Sequence, residues 1–331
     1  MDEHSQRIEQ ILNEIRSKTR FLLTSHINPD GDGLGSELAL YELLELHQKE
    51  VRIINASPLP MLYRFMDPAD RIFKQYTPEC DAFIELAEVI IVLDISEIHR
   101  LGAVGKRIEK TKAVRICIDH HSSNHFPADI LLIDEKAVAT GELIEEIIRK
   151  GGYEITPRIA EALYIAVMTD TGCFRFSNTN AKAHYLGAEF LEKGADHFKM
   201  YNQLYENNSW EKTYLFASVL STLRPAAERK IAVMHITLDM LEKSGALYED
   251  IEGFVEFARN VRGVKMSLLF VEQPNNRVKV SFRSSGTIAV DELASEFGGG
   301  GHRNASAAVV QNSSLENAIT TVITSAKKYL R

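Results

Sequence analysis

The sequence predicts a two-domain α/β protein, an N-terminal doubly wound, mostly parallel sheet followed by a smaller α+β domain. Three observations carry this. Short apolar runs alternate with helical patterns up to about residue 193, as βαβ units require. From about residue 230 the strand patterns crowd together and the alternation breaks. At 331 residues the chain also exceeds the size at which one hydrophobic core usually stops growing. The expected division is residues 1–193, a helical connection over 194–226, and 227–331, with a cleft between the two domains.

Composition narrows the function. A chain that is 45% hydrophobic and 25% charged is ordinary for a soluble globular protein. A net charge of -8 argues against a protein that coats long duplex nucleic acid, because such binding is driven by phosphate neutralisation. Cys80, Cys117 and Cys173 lack zinc-ribbon spacing and suit a reducing compartment. The polar N-terminus does not read as a signal peptide, and no apolar run reaches membrane length. The expectation is a cytoplasmic protein with no membrane partner.

The elements follow in order. Residues 5 to 17 place Ile8, Ile11, Leu12 and Ile15 on one helical face. Residues 21 to 23 form a short apolar strand, which runs into His26-Ile27-Asn28-Pro29-Asp30-Gly31-Asp32-Gly33-Leu34-Gly35-Ser36. The proline and glycines there predict a loop in which tight turns let Asp30 and Asp32 converge. A helix over 34 to 47 and a strand over 51 to 55 come next, then a proline-rich loop over 56 to 80. Val89–Leu93 is the clearest buried strand and ends in Asp94, while the strand over 114 to 118 ends in Asp119-His120-His121. Ile130–Ile133 is a further strand. Helices follow over 140 to 150, 157 to 168 and 181 to 193, with Asp170 just beyond the second of them. Residues 196 to 224 read as a helical connection. The second domain shows strands at Ile231–Ile236, 265 to 271 and 277 to 282, and helices near 249 to 260, 289 to 296 and 314 to 328.

In a doubly wound sheet the polar residues that end these strands share one edge. The candidates are His26, Asp30, Asp32, Asp94, Asp119, His120, His121 and Asp170. Singly, each aspartate reads as a turn or cap residue and each histidine as a surface residue. Together, clustered carboxylates raise one another's pKa unless cations neutralise them. Two divalent cations roughly 3.5–4 Å apart resolve that conflict and supply phosphoryl-transfer chemistry. Oxygen ligands with a minority of imidazoles suit manganese, with magnesium, cobalt or iron as substitutes.

The ordered motifs H-x-x-P-D-x-D-x-x-G-S, I-V-L-D, D-H-H and T-D-T-G resemble the DHH phosphoesterase superfamily. Gly298-Gly299-Gly300-Gly301-His302-Arg303-Asn304-Ala305-Ser306-Ala307, preceded by Ser281-Phe282-Arg283-Ser284, resembles its DHHA1 substrate domain. The resemblance covers nearly the whole chain and is nearest to the nanoRNase/pAp phosphatase branch. It implies that His26 and Asp30 bind one metal, that Asp32, His120 and Asp170 bind the other, and that Asp94 bridges them. It implies that His121 serves the leaving oxygen and that Asp119 orients a histidine or touches metal. It further implies that Arg262, Arg283 and Ser284 contact phosphate or base, and that Gly299, Gly300, Gly301 and His302 cradle a phosphate. Many relatives have Lys and Ala-Ala-Gly where this chain has Arg303 and Ala305-Ser306-Ala307, which keeps the cation and stiffens the loop.

What the resemblance implies is a two-metal hydrolase acting on short RNA oligonucleotides, dinucleotides and adenosine 3′,5′-bisphosphate (pAp), with a homodimer allowed. The alternatives are a cyclic di-AMP or pApA phosphodiesterase and a non-catalytic nucleotide-binding protein of the same fold. The intact set of acidic and imidazole residues speaks against the last.

Overall fold

The computed structural model describes residues 2–95, 97–121 and 126–330, apart from the His302 side chain, and the chain divides into two compact units, Met1–Asn207 and Asn208–Arg331. In the first unit α1 (Glu3–Ser17) precedes β1 (Arg20–Thr24), α2 (Gly31–Leu46), β2 (Glu50–Asn55) and β3 (Phe73–Gln75). Then come α3 (Asp81–Leu86), β4 (Val89–Leu93), α4 (Gly102–Ile108), β5 (Val114–Asp119) and β6 (Ile130–Ile133). Helices α5 (Thr140–Gly151), α6 (Pro157–Asp170), α7 (Ala181–Glu192) and α8 (His197–Tyr205) complete it.

The six strands pair in parallel in the order β3-β2-β1-β4-β5-β6. The chain builds outward from β1 to β3, then returns beside β1 with β4 and builds outward the other way. The switch point therefore lies between β1 and β4, and a doubly wound sheet opens its crevice at the carboxyl ends of such strands. Alternate side chains feed two cores. Phe21, Leu23, Ile91 and Leu93 pack with α1, α2, α5, α6 and α7. Leu22, Ile90, Val92 and Cys117 face the other way, against Phe83, Ile84, Val104 and Ile108 of α3 and α4. Burial on both faces explains the unbroken apolar run of β4.

The structure departs from the sequence reading at α2. The helix begins at Gly31, inside the stretch expected to be loop, because the Asp30 side chain caps it by accepting from the Asp32 and Gly33 N–H groups at 3.0 and 3.2 Å. The glycines serve close packing and not a tight turn. A Cβ on Gly31 would lie 2.5 Å from the Thr169 side chain, and one on Gly35 would lie 2.5 Å from the Ala162 carbonyl of α6. Helix α6 runs through Asp170, which is its last residue and does not follow it. The short edge strand β3 lies in the stretch read as loop, among prolines that hide its pattern. Among the described residues no helix is long and apolar enough to cross a membrane. Cys117 is buried, and Cys80 and Cys173 are half-buried.

The second unit contains α9 (Trp210–Ser221), β7 (Arg224–Ala226), β8 (Ile231–Ile236), α10 (Leu238–Ser244), α11 (Phe254–Arg259) and β9 (Met266–Gln273). It continues with β10 (Arg277–Ser284), α12 (Val290–Ser295), β11 (Gly300–His302), β12 (Ala305–Val310) and α13 (Leu315–Ala326). Its sheet has the order β11-β12-β10-β9-β8-β7, with only the β8–β9 pair parallel. Of the residues expected to connect the domains, α8 buries Met200 and Leu204 in the first unit, while α9 buries Leu215 and Val219 in the second. The glycine-rich stretch, expected to be a loop, partly forms the hairpin β11–β12. Glycine is needed because a Cβ on Gly299 would lie 2.1 Å from the Ala307 carbonyl, and Gly301 has a φ of 145° beside the Ala305 carbonyl. This pairing does not show in the sequence, since a glycine run has no side-chain alternation.

The Gly35 contact yields a prediction. Gly35→Leu should destabilise the protein by about 1–3 kcal/mol through overpacking. Gly300→Ala, where the added Cβ meets nothing within 4 Å, should change stability by less than about 0.5 kcal/mol. Urea unfolding of both variants checks the contrast.

Candidate metal centre

The site is assembled from chain segments that end at the switch point. His26 follows β1, and Asp30 and Asp32 cap and open α2. Asp94 follows β4, Asp119 ends β5 with His120 and His121 after it, and Asp170 closes α6. Asp94 has a φ of 56°, in the left-handed region that non-glycine residues seldom occupy. Its N–H donates to the Ile118 carbonyl at 3.0 Å, which anchors it to the neighbouring strand.

Among the described residues three overlapping groups have one ligand atom each within 4.8 Å of the others, namely His26/Asp30/Asp94, Asp32/His120/Asp170 and Asp94/His120/His121. His26 Nε2 lies 3.6 Å from Asp94 Oδ2. His120 Nε2 lies 3.7 Å from Asp32 Oδ2, 3.8 Å from Asp94 Oδ1 and 3.8 Å from Asp170 Oδ2. These separations exceed a good hydrogen bond and match ligand atoms arranged around a shared cation.

The surroundings orient each ring. His26 Nδ1 donates to the Ile27 carbonyl at 2.9 Å, and His120 Nδ1 donates to the Ala137 carbonyl at 3.2 Å. Because a carbonyl only accepts, each ring carries a proton on Nδ1 and turns Nε2 toward the carboxylates. His121 differs. Its Nδ1 donates to Asp119 Oδ1 at 2.7 Å and lies 3.6 Å from Asp94 Oδ1. Asp119 Oδ1 also accepts the His120 N–H at 2.8 Å, so this carboxylate supports both histidines from a fully buried position.

Asp32 is 1% exposed and accepts from the Thr140 and Gly141 N–H groups at 2.6 and 2.9 Å, at the start of α5. A helix N-terminus favours a negative charge there. The Thr140 hydroxyl donates to Asp94 Oδ1 at 3.3 Å, and Asn178 Nδ2 donates to Asp170 Oδ2 at 3.1 Å. Sequence reasoning passed over Thr140 and Asn178. Thr140 looked like an ordinary first helical residue, and the only signal for Asn178 was its place in the loop after T-D-T-G.

The charges do not balance within the protein. Burial raises Asp32 well above the usual carboxylate range, and the charges of Asp94, Asp170 and Asp30 raise it further. Burial likewise pushes Asp170 up to about 6. The protein packed around the Asp30 carboxyl raises it, and Asp94 adds to the effect. Burial also opposes ionisation of Asp94, but the neighbouring imidazoles outweigh it and hold that carboxyl well below its usual range. For His121, burial is outweighed by its bond to Asp119 and by the charges of Asp94, Asp119 and Asp170, which push it up to about 9. Carboxylates that cannot all ionise, facing imidazoles with fixed tautomers, fit a pair of divalent cations.

In the second unit Arg283 Nε donates to Glu256 Oε1 at 2.5 Å, and Arg259 pairs with the same glutamate at 3.3 Å. Arg262 is exposed in the turn after α11. Ser284, expected to contact substrate, is 3% exposed, and its hydroxyl donates to the Ile288 carbonyl and accepts from Asn304. That hydroxyl is committed to holding the chain after β10. Gly299, Gly300 and Gly301 lead into and form β11, and the His302 side chain lies outside the described residues.

The chain matches the DHH family, N-terminal domain, over residues 20–167 and the DHHA1 domain over residues 229–330. It is 30% identical to the bifunctional oligoribonuclease and PAP phosphatase NrnA of Thermus thermophilus over 314 residues, covering 93% of this chain and 89% of that protein. To the protein of the same name from Bacillus subtilis it is 28% identical, covering 91% and 92%. An exopolyphosphatase-related protein from Bacteroides fragilis has a similar structure, with a TM-score of 0.94, 28% identity, and 98% and 96% of the two chains covered.

The raised carboxyls predict how stability follows pH in chelator-treated protein. A folded-state pKa of about 6 for Asp170, above the unfolded value near 3.8, means that the folded state binds more protons between those values. Its contribution is therefore complete below about pH 4 and lost as pH rises through about 6. Asp170→Asn should remove this decline, on the order of 2 kcal/mol, in urea unfolding across that window. Parallel profiles for the parent and the variant would refute it.

Proposed function

The chain belongs to the DHH/DHHA1 phosphoesterase superfamily, and from that membership we propose that it degrades short oligoribonucleotides to 5′-mononucleotides and removes the 3′-phosphate of pAp in the cytoplasm. The observation that carries the reading is the set of overlapping acid and imidazole groups at the β1/β4 switch point, which share Asp94 and His120.

In this reading His26, Asp30 and Asp94 hold one divalent cation, and Asp32, His120, Asp170 and Asp94 hold the other. Bound there, the cations, manganese first among them, supply charge neutralisation at the phosphoryl oxygens and Lewis-acid activation of water. The protein's own residues do the positioning. Thr140 and Gly141 fix Asp32, and Thr140 also steadies Asp94. Main-chain carbonyls turn His26 and His120. His121, kept protonated by its bond to Asp119, donates a hydrogen bond or a proton to the leaving oxygen. On the second unit, Arg262, Arg283 and the backbone of Gly299 to His302 are proposed to receive phosphate or base, with Glu256 presetting the Arg283 guanidinium.

Two measurements test this. A product time course with manganese should show rapid loss of an RNA dinucleotide and of pAp, and little attack on an RNA of about two dozen nucleotides. Asp94→Ala should be slower by more than about a hundredfold. Preferential turnover of cyclic di-AMP, or nucleotide binding without turnover, would overturn the proposal. In the second measurement, His121→Asn should lower kcat by about 10²–10⁴-fold while the number of bound manganese ions stays that of the parent. Loss of a manganese ion in this variant would make His121 a ligand instead of the donor to the leaving group.

A further inference from the structure

Behind the His26 and Asp94 side chains lies a buried chain of hydrogen bonds that the roles above do not use. Glu37 on α2 is 0% exposed, and Asn55 at the end of β2 is 4% exposed. Asn55 Nδ2 donates to Glu37 Oε2 at 2.9 Å. Asn55 Oδ1 accepts the Ser25 N–H at 2.8 Å and the Thr24 hydroxyl at 3.3 Å. The Ser25 hydroxyl donates to the Leu93 carbonyl at 2.9 Å. Ser25 immediately precedes His26, and Leu93 immediately precedes Asp94. The bonds thus run from α2 through β2 and end on the two main-chain segments that carry these side chains.

Core packing does not account for Glu37. Its neighbours on α2 are largely apolar and buried, and a buried carboxyl is costly unless it is bonded. Among the described residues one of its oxygens has a partner, Asn55, while Oε1 is buried with none. Burial pushes the group up to about 8. What Glu37 supplies is direction. A carboxamide has an accepting end and a donating end, and the two differ little in shape. An acceptor at Glu37 takes the NH₂ of Asn55, which leaves the oxygen facing the Ser25 N–H and the Thr24 hydroxyl. A flipped amide would set N–H against N–H.

The segment braced in this way needs bracing. Asp94 holds a left-handed φ of 56°, a conformation that persists in a non-glycine residue when its surroundings over-determine it. Gly33 completes the contact, since a Cβ there would lie 2.6 Å from Ser25 Oγ. We propose that Glu37 and Asn55 are positioning residues which, through Ser25, fix the main chain from which His26 and Asp94 reach the same cation. The two ligands are thereby preset before metal binds. The inference rests on reading His26, Asp30 and Asp94 as a metal site.

The test is manganese affinity by calorimetry on folded parent, Glu37→Met, Glu37→Gln and Ser25→Ala proteins, with kcat and KM for an RNA dinucleotide alongside. Glu37→Met fills the space without an acceptor, and Ser25→Ala removes only the hydroxyl bonded to Leu93. Both should weaken manganese binding by about 10–100-fold and lower kcat, with KM at saturating manganese unchanged. Glu37→Gln keeps an acceptor and should stay within about threefold of the parent. Should Glu37→Met fail to fold, Ser25→Ala reads the same connection. Parental affinity in the folded Met and Ala variants would overturn the inference, as would a Gln variant as weak as Met. A parent that binds no manganese would instead bring down the metal reading beneath it.

Discussion

Carboxylates set side by side repel, and where protein crowds out water they take up protons unless positive charge is placed among them. Asp30, Asp32, Asp94 and Asp170 are drawn together in this way, with the imidazoles of His26, His120 and His121 among them. The imidazoles are enough to keep Asp94 ionised but leave Asp32 and Asp170 raised. Much of the local architecture serves to hold this unfavourable arrangement in place. The first N–H groups of α5 point at Asp32, and the packing of α2 against α6 brings both helix ends to the strand edge. Asp170 meets the carboxyl end of its own helix, where a negative charge is unfavourable, and the Asn178 amide offsets this.

The histidines divide by the partner of Nδ1. A carbonyl behind His26 and His120 takes the Nδ1 proton and leaves Nε2 directed toward the carboxylates. A carboxylate behind His121 favours the charged ring. Adjacent residues of one type are thus set in different surroundings by one acceptor each.

In the second unit the same economy appears in the pairing of Arg283 and Arg259 with Glu256. A guanidinium held by a carboxylate is fixed in orientation. The glycines of residues 299 to 301 permit the close β11–β12 hairpin, a use of glycine as space and not as flexibility. The α2 glycines show the same use, and in both places the sequence alone suggested a loop.

How much was legible in the sequence follows from the range of each interaction. Strands such as Val89–Leu93 and Ile231–Ile236 were readable because burial on both faces of a sheet demands consecutive apolar residues. The candidate cluster was readable because Asp and His recur at several element ends, in an order along the chain that resembles a known superfamily. The sequence by itself thus determined the class of each layer and the chemical character of the site. The tertiary structure alone decided where α2 begins, that the Ser284 hydroxyl bonds to the Ile288 carbonyl, that Thr140 and Asn178 bond to the clustered aspartates, and that Glu37 and Asn55 join behind Ser25. Those outcomes depend on contacts between residues such as Thr140 and Asp32, 108 positions apart, and on gaps that only a missing Cβ allows. No local pattern encodes which distant backbone will arrive at a given side chain.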